Sequence, residues 1–479
     1  MIQAVRRVAL TLGLMLVAGG VNAQETRACP EGLPAETRCL SGQDVNGAWY
    51  WIAIPKAWNG SLVVHAHGGP RLKAPKPDDA IDDLQRFSVT VAEGFAWAGS
   101  NYRRSGFGVR SAAADTDSLR KIFWEKFGRP KRTLLHGQSW GANVAVRTAE
   151  LYGKDADGKV VYDGVILTNG VVGGGVRSYD FRADLRAVYQ YYCGNHPAAG
   201  EPAYPLWQGL PVGSTLKNKD LDERLNACTG LDKPVAERTP EQARALKNIL
   251  AVIRIPERTL DSHLSWATFT FADIVNLRLG GKNPFSNVGV LYVGSDDDAG
   301  LNRNVARFAA DPEGVRRLSE DSDLAGELTV PTLTMHAIND PTAFVELEHA
   351  FRDTVSKAGA SNLLVQSFTD EDEHSKLATP QYAALLRGMT TWIDQGAKPS
   401  PATLAAGCAE ATATYGEACH FNVDYFPPSL STRSYARQKP LVVSVQRQLV
   451  STRRDWGRGL IVNRRAASIR RRPPTLGRP

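Results

Sequence analysis

At 479 residues, with 43% hydrophobic and 22% charged side chains and a mean hydropathy of −0.28, the chain suits a soluble enzyme built as one large domain with an insertion. Its net charge of +7 is uneven: residues 431–479 hold 12 Arg, 1 Lys and 1 Asp, a local balance of +12, so the remainder carries −5. A mildly acidic body and the lack of any recognition fold beside the basic end argue against nucleic-acid binding.

The N-terminus reads as an export signal. Arg6 and Arg7 precede an apolar run from Val8 to Val17, and Val21-Asn22-Ala23 offers small residues before a cut ahead of Gln24. The run falls short of the ~20 residues needed to cross ~30 Å of hydrocarbon, so residues 1–23 are expected to be a signal peptide and the mature chain to have no membrane span. Cysteine usage agrees with a periplasmic or extracellular destination. The six cysteines fall into three local couples, Cys29 with Cys39, Cys193 with Cys228, and Cys408 with Cys419, each expected to be a disulfide.

Residues 24–169 are expected to form the first part of a catalytic core. Ser61 to Pro70, SLVVHAHGGP, is a short apolar strand running into a His-Gly-Gly turn, where Gly69, or failing it Gly68, has an amide free to face a substrate oxygen. Arg132 to Ala149, RTLLHGQSWGANVAVRTA, reads as a buried strand, a sharp turn and a helix. Gly137 and Gly141 flank Ser139 in the order G-x-S-x-G, the layout of a nucleophile elbow, with the Trp140 amide at the helix start facing a developing oxyanion. A further apolar strand spans Gly164 to Thr168.

Residues 170–327 read as a cap inserted over the C-terminal edge of the sheet, and therefore over Ser139. It contains Gly173-Gly174-Gly175 and the aromatics Tyr189, Tyr191, Tyr192, Tyr204 and Trp207, expected mainly as core. A strand-like stretch, Val288 to Val293, precedes Asp296, Asp297 and Asp298, a short acidic run expected to be a solvated loop and a rival source of a catalytic acid.

Residues 328–430 return to the core. VPTLTMHAIND, Val330 to Asp340, is a strand ending in an acid, at the edge where parallel sheets place active-site groups. A helix-like segment, Ala343 to Ser356, and a strand, Asn362 to Phe368, lead to the polar loop carrying His374, which completes the chain order Ser, Asp, His. His65, His136 and His349 read as structural, and His336 as a weaker rival to His374. Residues 431–479 are expected to be a basic, disordered tail.

Through HGG at 67–69, GQSWG at 137–141, Asp340 and His374, the chain resembles the α/β-hydrolase superfamily over about Trp49–Gly170 and Leu328–Gly396. HGGP followed by G-x-S-W-G is similar to the proline iminopeptidase branch of serine aminopeptidases, which usually continues HGGPG where this chain has Arg71. Gly94 to Gly108 resembles a segment of secreted bacterial hydrolases with large caps, including relatives of tannase and feruloyl esterase. The resemblance implies an α/β fold with a mostly parallel central sheet, helices on both faces and a large cap. The expected activity is cleavage of a small-molecule or oligomeric carboxylic ester through an acyl-enzyme. Ser139, His374 and Asp340 would be the triad, Gly69 and Trp140 the oxyanion donors, with no metal and no cofactor. The alternatives are a serine aminopeptidase and a non-catalytic binding protein on the same fold.

Overall fold

The computed structural model describes residues 25–437; the expected signal peptide and everything from residue 438 onward lie outside them. Ten strands form one sheet: β1 Glu25–Arg27, β2 Arg38–Gln43, β3 Trp49–Ile54, β4 Ser61–Ala66, β5 Ala96–Ser100, β6 Arg132–Gln138, β7 Gly164–Thr168, β8 Thr332–Ala337, β9 Leu364–Thr369 and β10 Phe421–Asn422. Their spatial order is β1-β2-β3-β5-β4-β6-β7-β8-β9-β10. From β5 to β9 every pairing is parallel, while β1, β2, β3 and β10 add on antiparallel. Because the chain leaves β4 toward β5 on one side and returns to β6 on the other, the gap beyond the C-terminal ends of β4 and β6 is a topological switch point, where open sheets of this class receive ligands.

The central strands are buried on both faces, as parallel sheets require. Alternation divides their side chains between two layers. Leu62, Val64, Leu135, Val165 and Leu167 pack toward helices Val109–Phe127, Trp140–Tyr152 and Glu346–Lys357. Val63, Leu134, Ile166, Leu333 and Met335 face Phe87 and the helix Thr379–Gln395. Between β7 and β8 the chain makes a helical excursion with its own apolar cluster, built around Leu185, Tyr189, Leu225, Ile249 and Leu264. Val288 to Val293 is not a strand: Val288, Leu291 and Val293 point outward, Val290 and Tyr292 plug inward, and the segment is irregular. Its alternation of apolar residues reflects two anchoring side chains, Val290 and Tyr292, with no strand paired beside them. Disulfides join Cys29 to Cys39, Cys193 to Cys228 and Cys408 to Cys419.

The body extends further than the sequence boundary at residue 431. Tyr435 Oη donates to the Val252 carbonyl at 2.8 Å, and Arg433 donates to that of Arg254 at 2.6 Å. Arg437 forks onto the buried Asp184 carboxylate at 2.8 and 2.5 Å. Residues 431–437 therefore belong with the insertion, because Asp184 on the buried helix Asp180–Cys193 needs a cation that this helix does not itself supply. Removing one partner of a buried ion pair strands the other and costs roughly 3–5 kcal/mol. Arg437→Met should thus lower unfolding stability by a few kcal/mol in a urea titration, and a chain ending at residue 430 should unfold at lower urea than one ending at residue 440. An unchanged midpoint for Arg437→Met would sink this account.

Candidate active site

The tight turn between β6 and the helix Trp140–Tyr152 sets the site. Ser139 has φ 58° and ψ −128°, in a region that L-residues seldom occupy and that costs roughly 1–3 kcal/mol. Three backbone hydrogen bonds hold it there: its amide donates to the Thr168 carbonyl at 3.1 Å, and its own carbonyl accepts from Ala142 at 3.0 Å and Val171 at 2.9 Å. The flanking glycines are required by space. A Cβ on Gly137 would meet the backbone of Gly141, and one on Gly141 would meet the carbonyl oxygens of Ala66 and His67.

Parallel pairing of β4 with β6 sets Ala66 opposite Gly137, so the His67-Gly68-Gly69 turn lies beside Ser139. Among the described residues, the amides of Gly69 and Trp140 donate to no protein acceptor, and neither does that of Gly68. The turn is braced from behind. His67 Nδ1 and His65 Nε2 both reach the Asp83 carboxylate, the latter at 3.3 Å, and Tyr102 Oη donates to the His67 carbonyl at 3.0 Å. Burial opposes ionisation of Asp83, but the two imidazoles outweigh it and hold its carboxyl well below the usual range. His136 stands against His65, Nδ1 to Nδ1 at 2.9 Å, and burial followed by the charge of His65 pushes its pKa well down. His65 and His136 are thus packing residues, and His349 pairs with Asp353 on a surface helix.

The structure brings three of the expected residues together. His374 Nε2 lies 2.8 Å from Ser139 Oγ, and His374 Nδ1 lies 2.7 Å from Asp340 Oδ2. The other oxygen of Asp340 accepts from the amides of Thr342 at 2.8 Å and Ala343 at 3.0 Å, which fixes the carboxylate plane. The loop carrying His374 is tied to the sheet by Asn169 and Gln138. Asn169 Nδ2 donates to the carbonyls of Glu373 and His374 at 3.1 and 2.7 Å while its Oδ1 accepts from Ala337, and Gln138 Nε2 donates to the His374 carbonyl at 2.9 Å. Asn169 was not singled out from the sequence; its φ of 45° at the end of β7 is the feature that distinguishes it.

His336 is fully buried behind Asp340 and does not reach Ser139. Its Nε2 donates to the Ala343 carbonyl at 2.7 Å and its Nδ1 to Glu348 at 3.2 Å, so both ring nitrogens face acceptors. Burial lowers its pKa, but the Glu348 hydrogen bond and the Glu348 and Asp340 charges more than reverse that, leaving it above the ordinary histidine value. The acidic run is also remote in role: Asp296 pairs with Lys247 at 2.8 Å, Asp297 caps the helix Asp298–Asn304, and Asp298 accepts from Ser295.

Above Ser139 is a cleft of about 340 Å³, floored by Gly68, Gly69, Trp140 and His374 and walled by Tyr179, Arg182 and Trp266 from the insertion. A larger cavity of about 520 Å³ lies among Arg104, Arg278 and Asp321 and holds neither Ser139 nor His374. Of the aromatics named from the sequence, Tyr189 packs in the core of the excursion between β7 and β8, whereas Tyr179 and Trp266, which were not singled out, stack at 4.3 Å over the site. Trp266 opens a π-helical turn, Trp266–Thr270, a local widening that recurs at functional sites. Arg71 and Arg86 also line the cleft, the first paired with Asp79 at 3.2 Å and the second with Asp83 at 3.3 Å. Among the described residues no Asp or Glu lines it.

No family model matches the chain. A curated protein from Xanthobacter agilis, o-phthalyl amidase, is 28% identical over 118 residues, a match spanning 24% of this chain and about a quarter of that protein (24%). Among solved structures, an esterase from Aspergillus oryzae is similar at 15% identity and TM-score 0.40, covering 76% of this chain and 81% of its own. Feruloyl esterase B from Aspergillus oryzae is similar at 13% identity and TM-score 0.40, covering 76% and 82%. The rice cell wall degrading esterase LipA from Xanthomonas oryzae is similar at 13% identity and TM-score 0.34, covering 74% and 88%. The assignment of fold follows from this chain's own strand order, its parallel crossovers and the turn at Ser139: the protein has the α/β-hydrolase fold.

Proposed function

We propose that this protein is a secreted serine hydrolase that cleaves a carboxylic ester through an acyl-enzyme. The observation that carries the reading is His374, whose two ring nitrogens bridge Ser139 Oγ and the Asp340 carboxylate at 2.8 and 2.7 Å beneath an open cleft. In the reaction Ser139 Oγ attacks the ester carbonyl as His374 Nε2 takes its proton, and Asp340 holds the Nδ1–H tautomer and stabilises the imidazolium. The amides of Gly69 and Trp140 bind the oxyanion, each worth roughly 3–4 kcal/mol in comparable sites. Collapse expels the alcohol, protonated by His374. Water, deprotonated by the same nitrogen, then releases the acid and regenerates Ser139. Export is supported by the three disulfides, which persist in oxidising compartments, and no helix among the described residues is long and apolar enough to cross a membrane.

Amide cleavage by the same groups is a second reading, favoured by the likeness to a protein named o-phthalyl amidase. An aminopeptidase is disfavoured by the cleft itself. A substrate α-amine needs a carboxylate to hold it, and three arginines line the site with no acid among them.

A fluorophosphonate probe should label Ser139, as read by peptide mapping, and the label should vanish in Ser139→Ala. Asp340→Asn should lower kcat by about 10⁴-fold through loss of the correct tautomer, with Asp296→Asn unchanged; the reverse pattern would move the acid to the cap. Ser139→Gly should melt above Ser139→Ala, by about 1 kcal/mol in stability, because only glycine takes this φ freely; equal melting temperatures would remove the strain.

On one preparation, kcat/KM for aryl or short acyl esters should greatly exceed that for the p-nitroanilide of proline, with Ser139→Ala as blank. Amide cleavage also demands accurate protonation of a poor leaving nitrogen and firm placement of the substrate. A preference for the prolyl anilide would promote the aminopeptidase instead.

A further inference from the structure

The helix Asp180–Cys193 buries four charged side chains in its first two turns: Asp180, Arg182, Asp184 and Arg186. A buried charge is costly unless paired, so each should have a partner. Three do. Asp184 receives Arg437 and the Tyr292 hydroxyl, the latter at 2.6 Å; Asp180 lies 3.6 Å from Arg437; and Arg186 donates through both terminal nitrogens to the His196 carbonyl at 3.1 Å.

Arg182 is the exception. It is 5% exposed, yet among the described residues no carboxylate lies within 4.0 Å of its guanidinium and no protein oxygen accepts from it; its Nε is fully buried and unpartnered. What holds it is aromatic: the guanidinium carbon sits 4.6 Å from the ring centres of both Phe181 and Trp266 and 5.5 Å from that of Tyr179. Ring faces stabilise a cation but use none of its five N–H donors. Burial brings its pKa down to about 10, which leaves it a cation at neutral pH. Arg182 lines the same cleft as Ser139 and His374. The other two arginines there are already engaged by Asp79, Asp82 and Asp83.

We propose that Arg182 receives a free carboxylate of the substrate, so that the bond cleaved at Ser139 belongs to an aromatic acyl group that carries a second, unesterified carboxylate. Two features of the cleft select this class. The vacant donor fork is shaped for bidentate carboxylate binding, in a site with no acid to repel it. The partly exposed Trp266 ring beside it, stacked on the buried Tyr179, offers a flat apolar surface for an aromatic ring. The inference rests on the reading of Ser139 as nucleophile, and it names the half-esters of aromatic dicarboxylic acids as substrates.

The test compares the monoethyl esters of phthalic, isophthalic and terephthalic acid with their neutral isosteres, in which the free carboxylate is a carboxamide. For at least one ring position the wild type should favour the carboxylate by at least about tenfold in kcat/KM, the ratio expected of a charge-assisted pair. In Arg182→Gln that ratio should fall to about one whatever the absolute rate, and Arg182→Lys should recover part of it. A merely structural Arg182 would change rates and melting temperature but not the ratio. Should Arg182→Gln fail to fold, the wild type supplies the second readout. The favoured dicarboxylate product should inhibit competitively, its monoamide should not, and added salt should weaken the inhibition. Neutral esters cleaved as fast as charged ones at every ring position, or a ratio that survives in Arg182→Gln, would overturn the carboxylate site while leaving the hydrolase reading standing. No hydrolysis of either series, together with no fluorophosphonate label on Ser139, would overturn both.

Discussion

Ser139 occupies a backbone conformation that its own side chain disfavours, and the surrounding structure supplies the energy that keeps it there. Its amide and carbonyl are satisfied by β7 and the segment that follows it, and the glycines on either side let the turn press against the end of β4. This compression puts the Ser139 hydroxyl on the rim of the sheet. It also aligns the first amide of a helix with the amides of the His-Gly-Gly turn, where a helix N-terminus favours negative charge. A side chain at Gly141 would push β4 and the helix apart, and the two sets of amides would no longer converge.

The other half of the site hangs from three strand ends. Asp340 follows β8 and His374 follows β9, and both are anchored to β7 through Asn169, whose side-chain amide spans the loop of one and the strand of the other. Behind them His336 and Glu348 form a buried pair, with His336 Nε2 3.7 Å from the Asp340 carboxylate.

The excursion between β7 and β8 contributes Tyr179, Arg182 and Trp266 to the cleft at Ser139. Its first helix is buried along one whole stretch and still carries four charges, which are answered in different ways. Asp184 is answered by Arg437, more than 250 positions away in the chain. Among the described residues Arg182 is answered only by aromatic faces, and it lines the cleft.

Features whose physics is local were legible in the sequence. The strand-turn-helix around Ser139 declares itself because two glycines, an apolar run and a helical period must coincide within a few residues, and the same holds for the Gly68-Gly69 turn and for the acid that ends β8. The outward Leu291 and Val293 show the limit of such reading: hydrophobic spacing without a partner strand makes no strand. The aromatics over the site were likewise beyond it, since Tyr189 and Tyr179 look alike in the chain and differ only in which way the helix faces. Composition alone drew the basic end too early, because a charged residue such as Arg437 reads as solvated until its buried partner is known. The sequence by itself determined the elbow, the order of Ser139, Asp340 and His374, and the class of fold. Only the tertiary structure decided that His374 rather than His336 faces Ser139, and that Arg182 lies unpaired in the cleft, because pairing and burial are relations between residues far apart in the chain.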